Sequence, residues 1–329
     1  MCSIAGFISQ KPLPHTAELC AALLYYGQPR GKQSSGIWTN AEGPGGYVYK
    51  RAMEPIAFIQ DASFHQVAKP ATMALVHTRQ PTCGSRLDDG AQPFHGEKAV
   101  LVHNGVFTNH YKLRTDFELL NPSGVDSELA HSFVEKYGPK AMTRFMWQAF
   151  GSTALAFVYG KRMYLIRDGN PLEYCTITGA GNTFTVFAST EEQLLAAVRS
   201  IAYIQLGTKA ESVPHRALCK VSATGVYHEK AYGPALAEYA TKGKSTKVED
   251  YSKHRGYGYG LGQQGIKVYE SGYDSRDWPD RDKDVPPVNG NGHKCNESPT
   301  LPAASNGPSE AQKIVDGLVQ EMEKEGYPE

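Results

Sequence analysis

Apolar segments of strand or helix length recur through the first 233 residues of this 329-residue chain and then stop. That break limits what the chain can fold into, because only the first part holds enough apolar side chains to bury the core of a large domain. Within it, Ile4–Ser9, Ser35–Thr39, Gly46–Lys50, Thr72–His77, Ala99–His103, Ser152–Tyr159, Met163–Arg167, Tyr174–Thr178, Thr183–Ala188, Ala217–Ser222 and Gly225–His228 are short, rich in β-branched and aromatic residues, and predicted as strands. Helices are predicted at Thr16–Tyr25, Asn109–Leu120, Ser127–Tyr137, Pro139–Phe150 and Glu191–Ile201. In Ser127–Tyr137 the apolar residues Leu129, Phe133, Val134 and Tyr137 share one face, with Asp126 as a candidate N-cap and Gly138 as the stop. Many strands with a few helix pairs among them predict an α+β domain of two sheets between helical layers, rather than a regular βαβ winding.

Beyond Pro234 the composition turns polar and rich in Gly, Pro, Tyr and Asn. Residues 234–307 are expected to be a disordered linker, since they bury too little apolar surface to offset the entropy of ordering. In residues 308–329, Ser309-Glu310-Ala311-Gln312 fits a capping box ahead of the stripe Ile314, Val315, Leu318, Val319 and Met322. A docking helix and an unpartnered amphipathic tail fit that pattern equally.

Lys+Arg and Asp+Glu balance at 34 each, which leaves no electrostatic footprint for nucleic acid or an anionic membrane. No apolar run is long enough to span a bilayer and no basic-then-apolar leader is present, so a soluble, cytoplasmic protein is expected. The 6 cysteines are dispersed, without the short Cys/His spacings of a zinc site or the density of a disulfide scaffold. Cys20, Cys175 and Cys219 lie in apolar segments as small buried hydrophobes, and neither a metal nor a cofactor is expected.

Cys2 follows Met1 directly, so removal of the methionine leaves a thiol beside a free α-amine. A thiol attacks as thiolate, with a reference pKa of about 8.5, and an α-amine titrating at about 7.7–8.0 can accept its proton. Three further segments place polar residues where a strand meets a turn: His77-Thr78-Arg79 with Thr82, His103-Asn104-Gly105, and Asp126-Ser127-Glu128. Singly, each has a plainer account. Arg79 suits a surface salt bridge, Asn104-Gly105 a turn, Asp126 a helix cap.

Together with Cys2 they match what hydrolysis of glutamine needs: a thiolate, donors for an oxyanion, a cation for the α-carboxylate and an anion for the α-ammonium. Asn104 offers a side-chain N–H, Gly105 an unobstructed backbone N–H, Arg79 a planar fork for a carboxylate, and Asp126 a negative charge.

These segments, with Met1-Cys2-Ser3-Ile4-Ala5-Gly6, Pro29-Arg30-Gly31-Lys32-Gln33-Ser34-Ser35-Gly36-Ile37, Thr108-Asn109 and Ile166-Arg167-Asp168, occur in the order found in one family. Over roughly residues 2–230 the chain resembles the class II (N-terminal nucleophile) glutamine amidotransferase domain, as carried by amidophosphoribosyltransferase and glucosamine-6-phosphate synthase. The resemblance implies a four-layered αββα sandwich, the Ntn-hydrolase fold, over residues 2–233. It also implies a γ-glutamyl thioester on Cys2, an oxyanion held by Asn104 and Gly105, and substrate glutamine bound by Arg79 and Asp126. Thr82 would line the pocket, and Arg30 would lie on a mobile loop covering the site, with Gly31 helping that loop to bend. Arg167-Asp168 is expected to be structural.

Three positions depart from the family pattern. Ser3 stands where a glycine is usual, which would crowd the strand if φ there were positive; Gln80 replaces a common aromatic; Cys83 occupies a variable site and is expected to be a bystander. After residue 233 no phosphate-binding G-x-x-x-x-G-K-[ST] loop or other synthase motif is found, so a separate ammonia-accepting synthase is the expected partner. Hydrolysis of a γ-glutamyl conjugate and a non-catalytic binding role on the same fold stay open as alternatives.

Overall fold

The computed structural model describes residues 1–41, 45–82, 84–179, 181–200, 209–232 and 317. Cys83, the 234–307 linker and, apart from Gly317, the 308–329 tail lie outside the described residues. Residues 1–232 belong to one compact unit. In chain order its elements are β1 (Ser3–Leu13), α1 (Thr16–Gly27), β2 (Ser34–Thr39), β3 (Tyr47–Arg51), α2 (Pro55–Gln60), α3 (Ala62–Val67), β4 (Ala71–Arg79), β5 (Phe94–His95), β6 (Ala99–Gly105) and α4 (His110–Asp116). There follow α5 (Asp126–Tyr137), α6 (Met142–Gln148), β7 (Thr153–Tyr159), β8 (Arg162–Asp168), β9 (Glu173–Gly179), β10 (Asn182–Ala188), α7 (Glu191–Arg199), β11 (Glu211–Ser212), β12 (Ala217–Ser222) and β13 (Gly225–Ala231).

The strands form a 7-stranded sheet in the order β11-β9-β10-β1-β4-β2-β3 and a 6-stranded sheet in the order β13-β12-β8-β7-β6-β5. Every pairing between these strands is antiparallel.

Alternation along the strands sorts the apolar residues into three cores. Ile4, Leu75, Val100, Val102, Ala154 and Ala156 point between the sheets, together with Trp38, Leu165 and Phe187. The intervening residues Ala5, Phe7, Ala74 and Val76 face outward onto α1, α2, α3 and α7, through Leu23, Phe58, Phe64 and Leu194. On the other side Leu101, Leu155 and Phe157 face α4, α5 and α6, through Leu113, Phe133 and Phe145. The result is the four-layered αββα sandwich of the Ntn-hydrolase fold. Among the described residues no helix is long and apolar enough to cross a membrane.

Several details differ from the expectations, each for a local reason. The fourth helix ends at Asp116 instead of Leu120: Glu118 takes φ +50, which turns Leu119 into the core and leaves Leu120 exposed. Pro139–Phe150 divides into a 3-10 turn, Pro139–Ala141, and α6. Asp126 is the first helical residue, with Val125 at the N-cap, and its carboxylate accepts from the Phe107 N–H at 2.7 Å in place of capping its own helix. Gly138, at φ +78, stops α5 as expected.

Ser3 needs no special backbone. It is not among the residues with positive φ, and its hydroxyl donates to Gln193 Oε1 at 2.8 Å, while Gln193 Nε2 donates to Leu23 O at 2.7 Å. The polar residue beside Cys2 thus ties β1 to α7 and α1.

Candidate active site

Register brings the polar strand ends together. Ser3 pairs with Thr78, so Cys2 stands level with the last residue of β4, Arg79, and Arg79 pairs with Ser34 on its other side. The sheets are joined at this end where His77 Nε2 meets His103 O at 3.2 Å. Two residues further along each strand lie Arg79 and Gly105. Cys2, Arg79 and Asn104 continue the inner-face series of Ile4, Leu75 and Val102, so all three fall between the sheets.

The Cys2 Sγ lies 3.6 Å from Gln80 O, in hydrogen-bond reach for a thiol. Its carbonyl is held from two sides. Arg30 Nε donates to Cys2 O at 2.9 Å, and Asn104 Nδ2 donates to the same oxygen at 3.0 Å, while Asn104 Oδ1 accepts from Arg30 Nη2 at 3.3 Å. This is the amide orientation in which both Asn104 atoms find a partner of the right kind. Asn170 Nδ2 completes the junction by donating to Asn104 O at 2.7 Å.

Burial pushes the Cys2 thiol above its ordinary pKa; the Gln80 carbonyl, the terminal ammonium and Arg79 pull it down, and Asp126 pushes it up. Both charges expected to bind a zwitterionic amino acid therefore act at the Cys2 thiol. Arg79 is 3% exposed and donates through Nη1 to Ser85 O at 2.6 Å. Asp126 is equally buried, in the first turn of α5, where the helix dipole favours a carboxylate.

Gly105 ends β6 with φ +154, and a Cβ there would sit 2.1 Å from Ser152 O and 2.7 Å from His103 Nε2. Only glycine fits. Gly31 is constrained differently from the expectation that it helps a loop bend: its φ of −177 is ordinary extended backbone, and a Cβ there would come 2.4 Å from the Arg79 carbonyl carbon. The residue is a packing surface for the end of β4.

Arg30, on a 3-10 turn over Gln28–Arg30, is anchored to Cys2 and Asn104 in this structure, and burial lowers its pKa against the opposing influence of Cys2. Thr82 is exposed on the segment after β4. Asp168 lies 3.2 Å from His215 and 3.7 Å from Arg216 and fastens the chain ahead of β12, while Arg167, 3.7 Å from Glu173, ties β8 to the start of β9.

Beneath the site runs a buried polar layer that motif reading had not joined. His103 Nδ1 meets Ser127 Oγ at 2.8 Å and its ring stacks on Phe107 at 4.5 Å; the His103 N–H donates to Gln92 Oε1 at 2.6 Å. Burial pushes His77 down to about 3 and His103 down to about 4, so both rings are neutral at physiological pH and act as spacers. Gln92, between a short turn and a two-residue strand, carries no signal in the sequence. Among the described residues no three His, Cys, Asp or Glu side chains converge as a cation site.

Residues 77–196 match the family model described as a glutamine amidotransferase domain, a span that includes Arg79, Asn104, Gly105 and Asp126. The glutamine-fructose-6-phosphate aminotransferase (isomerizing) of Aliivibrio fischeri is 26% identical over 254 residues, covering 73% of this chain and 40% of that protein. Its counterpart in Idiomarina loihiensis is 28% identical over 153 residues, covering 43% of this chain and 24% of that protein. The chain therefore corresponds to well under half the length of these relatives. Among solved structures, the B. subtilis glutamine phosphoribosylpyrophosphate amidotransferase complexed with ADP and GMP superposes with a TM-score of 0.55 at 18% identity, over 70% of this chain and 49% of that one, a likeness of fold. Motif order, sandwich and the match over residues 77–196 agree in their likeness to a glutamine amidotransferase domain.

Proposed function

We propose that residues 2–233 form a glutaminase unit that hydrolyses the side-chain amide of glutamine through Cys2. The observation that carries the reading is the convergence, at one end of the sandwich, of a thiol that feels both Arg79 and Asp126, with Asn104 bonded to the carbonyl of the same cysteine.

The Cys2 thiolate attacks the amide carbon, and the C=O electron pair moves onto oxygen. The Gly105 N–H and the second hydrogen of Asn104 Nδ2, the one not used on Cys2 O, meet that oxyanion. Collapse breaks the C–N bond, the amine that took the thiol's proton returns it to the leaving nitrogen, and ammonia departs from a γ-glutamyl thioester. Water then attacks the thioester, releasing glutamate and the thiol. Arg79 pairs with the substrate α-carboxylate and Asp126 with its ammonium, while Thr82 lines the pocket. Ammonia passes to a separate acceptor synthase, and the reaction is assigned to the cytoplasm.

The test is release of glutamate and ammonia in equal amounts from glutamine by the purified protein. Release of glutamate from a γ-glutamyl conjugate but not from glutamine would replace this reading, and binding without turnover would reduce the domain to a sensor. Arg79→Ala is expected to raise KM for glutamine about 10²-fold, the worth of a charge-assisted pair, with a smaller change in kcat. Asn104→Ala is expected to lower kcat about 10²–10³-fold, with KM little changed. Steady-state kinetics separate the two, and the reverse pattern would exchange the assigned roles.

A further inference from the structure

Lys50 is unusual in being half-buried close to another cation. It lies on β3 opposite Gly36 of β2, and its ammonium donates to Ala91 O at 2.7 Å, reaches Asp89 O at 3.5 Å and sits 5.0 Å from the centre of the Phe94 ring. Burial lowers its pKa to about 8, Arg79 adds to that, and the carboxylates of Glu128, Asp89 and Asp88 oppose it. His77 and His131 also face it, both held below their ordinary pKa chiefly by burial. Holding an ammonium half-buried beside a guanidinium costs some stability that an apolar side chain would not, so packing alone does not account for it.

The turn that Lys50 grips is the seat of Arg79. Its residues 85–91 fold onto themselves: Ser85 Oγ donates to Asp89 Oδ1, the Gly90 N–H donates to the same oxygen at 2.8 Å, and the Leu87 N–H donates to Ser85 Oγ at 3.1 Å. Ser85 O accepts from Arg79 Nη1 at 2.6 Å. A Cβ on Gly90 would come 2.2 Å from Ser85 O and 2.8 Å from Arg79 Nη1, so the turn closes directly over the guanidinium. From β3, Lys50 pins the far end of this turn through the carbonyls of Asp89 and Ala91, six residues or fewer from the carbonyl that holds Arg79.

We propose that Lys50 is a positioning residue for substrate capture: it fixes the 85–91 turn so that Ser85 O holds the Arg79 guanidinium where an amino-acid α-carboxylate meets it. The inference rests on the proposed role of Arg79 in binding glutamine. Lys50 does not touch the substrate; its effect reaches the substrate through the turn and Arg79.

The test compares glutamine kinetics of the full chain with those of Lys50→Met, Lys50→Arg and Asp89→Ala, alongside backbone hydrogen exchange of residues 85–91 without substrate. Lys50→Met is expected to raise KM about tenfold while kcat falls less than about threefold, and to speed exchange in the turn but not in β1 or β6. Lys50→Arg, which keeps a donor and a charge, should recover most of the loss in KM. Asp89 is exposed, so Asp89→Ala leaves the fold intact; it should raise KM in the same direction, and its effect should be less than multiplicative with that of Lys50→Met. An unchanged KM in Lys50→Met, or unchanged exchange in the turn, would overturn the proposal. A wild type that turns over no glutamine would instead remove the role of Arg79 on which the proposal rests.

Discussion

Cys2→Ala is expected to lower glutamate release from glutamine by about 10⁴-fold or more, because the remaining groups bind and polarise the amide but leave nothing to attack it. Placing one alanine between Met1 and Cys2 is expected to be nearly as damaging. The thiol is then intact, but its own nitrogen is locked in a peptide bond and can no longer accept the proton. The electrostatics explain why that matters. Burial is the largest influence on Cys2 and favours the neutral thiol, and the help from Arg79 is partly offset by Asp126. While Met1 is attached, iodoacetamide alkylation of Cys2 should therefore be slow at pH 7 and climb about tenfold per pH unit through pH 9, since the thiolate fraction follows the raised pKa. In the processed protein the activity should rise with a limb near the α-amine range, about 7.7–8.0. Mass spectrometry of the first residue together with activity on both forms checks this. Full turnover by Cys2→Ala, or by the alanine-inserted chain, would remove Cys2 from the mechanism.

Gly105→Ala is expected to have the second largest effect, on the fold and on the reaction together. The φ of +154 excludes an L side chain, and the intruding Cβ would meet the backbone oxygen of Ser152, which cannot rotate away as a side-chain tip would. Backbone strain and overpacking together should cost about 2–6 kcal/mol of stability, readable as a lower urea midpoint with an unchanged slope. The fraction that still folds should show kcat lowered about 10²–10³-fold, because relieving the clash moves the N–H assigned to the oxyanion. Gly179→Ala is the matched control, with ordinary φ and open space around it, and should change stability by no more than about 0.5 kcal/mol. Equal behaviour of the two variants would contradict the geometry described for the end of β6.

Sequence patterns of short range carried far into the structure. The strand stretches lie where alternation and β-branched residues put them, and the residues that converge at the site were visible as polar interruptions at the ends of β1, β4 and β6. Elements too short to show a period were missed. The helices α2 and α3 have six residues each, and the clues that existed were Pro55 at the first helical position and Asp61, whose carboxylate caps Ser63 N at 2.7 Å. Roles set by distant partners were not legible either. Asp126 looks like a cap for its own helix until Phe107, 19 residues earlier, is seen to claim the carboxylate. Lys50 reads as a polar residue on an edge strand, and only the pairing of β2 with β3 and the return of the chain at Asp89–Ala91 bring it to Arg79. Ser3 would crowd its strand only at a positive φ, which it does not have, and its hydroxyl finds its partner in Gln193, 190 residues away.

Arg30, which the resemblance puts on a loop covering the site, donates to the carbonyl of Cys2 and the amide of Asn104 and reaches Met1 Sδ at 3.7 Å. Cys2, Asn104 and the Gln28–Arg30 turn thus share a single three-way junction. The positions of the Cys2 backbone and of the Asn104 amide therefore depend on the same turn.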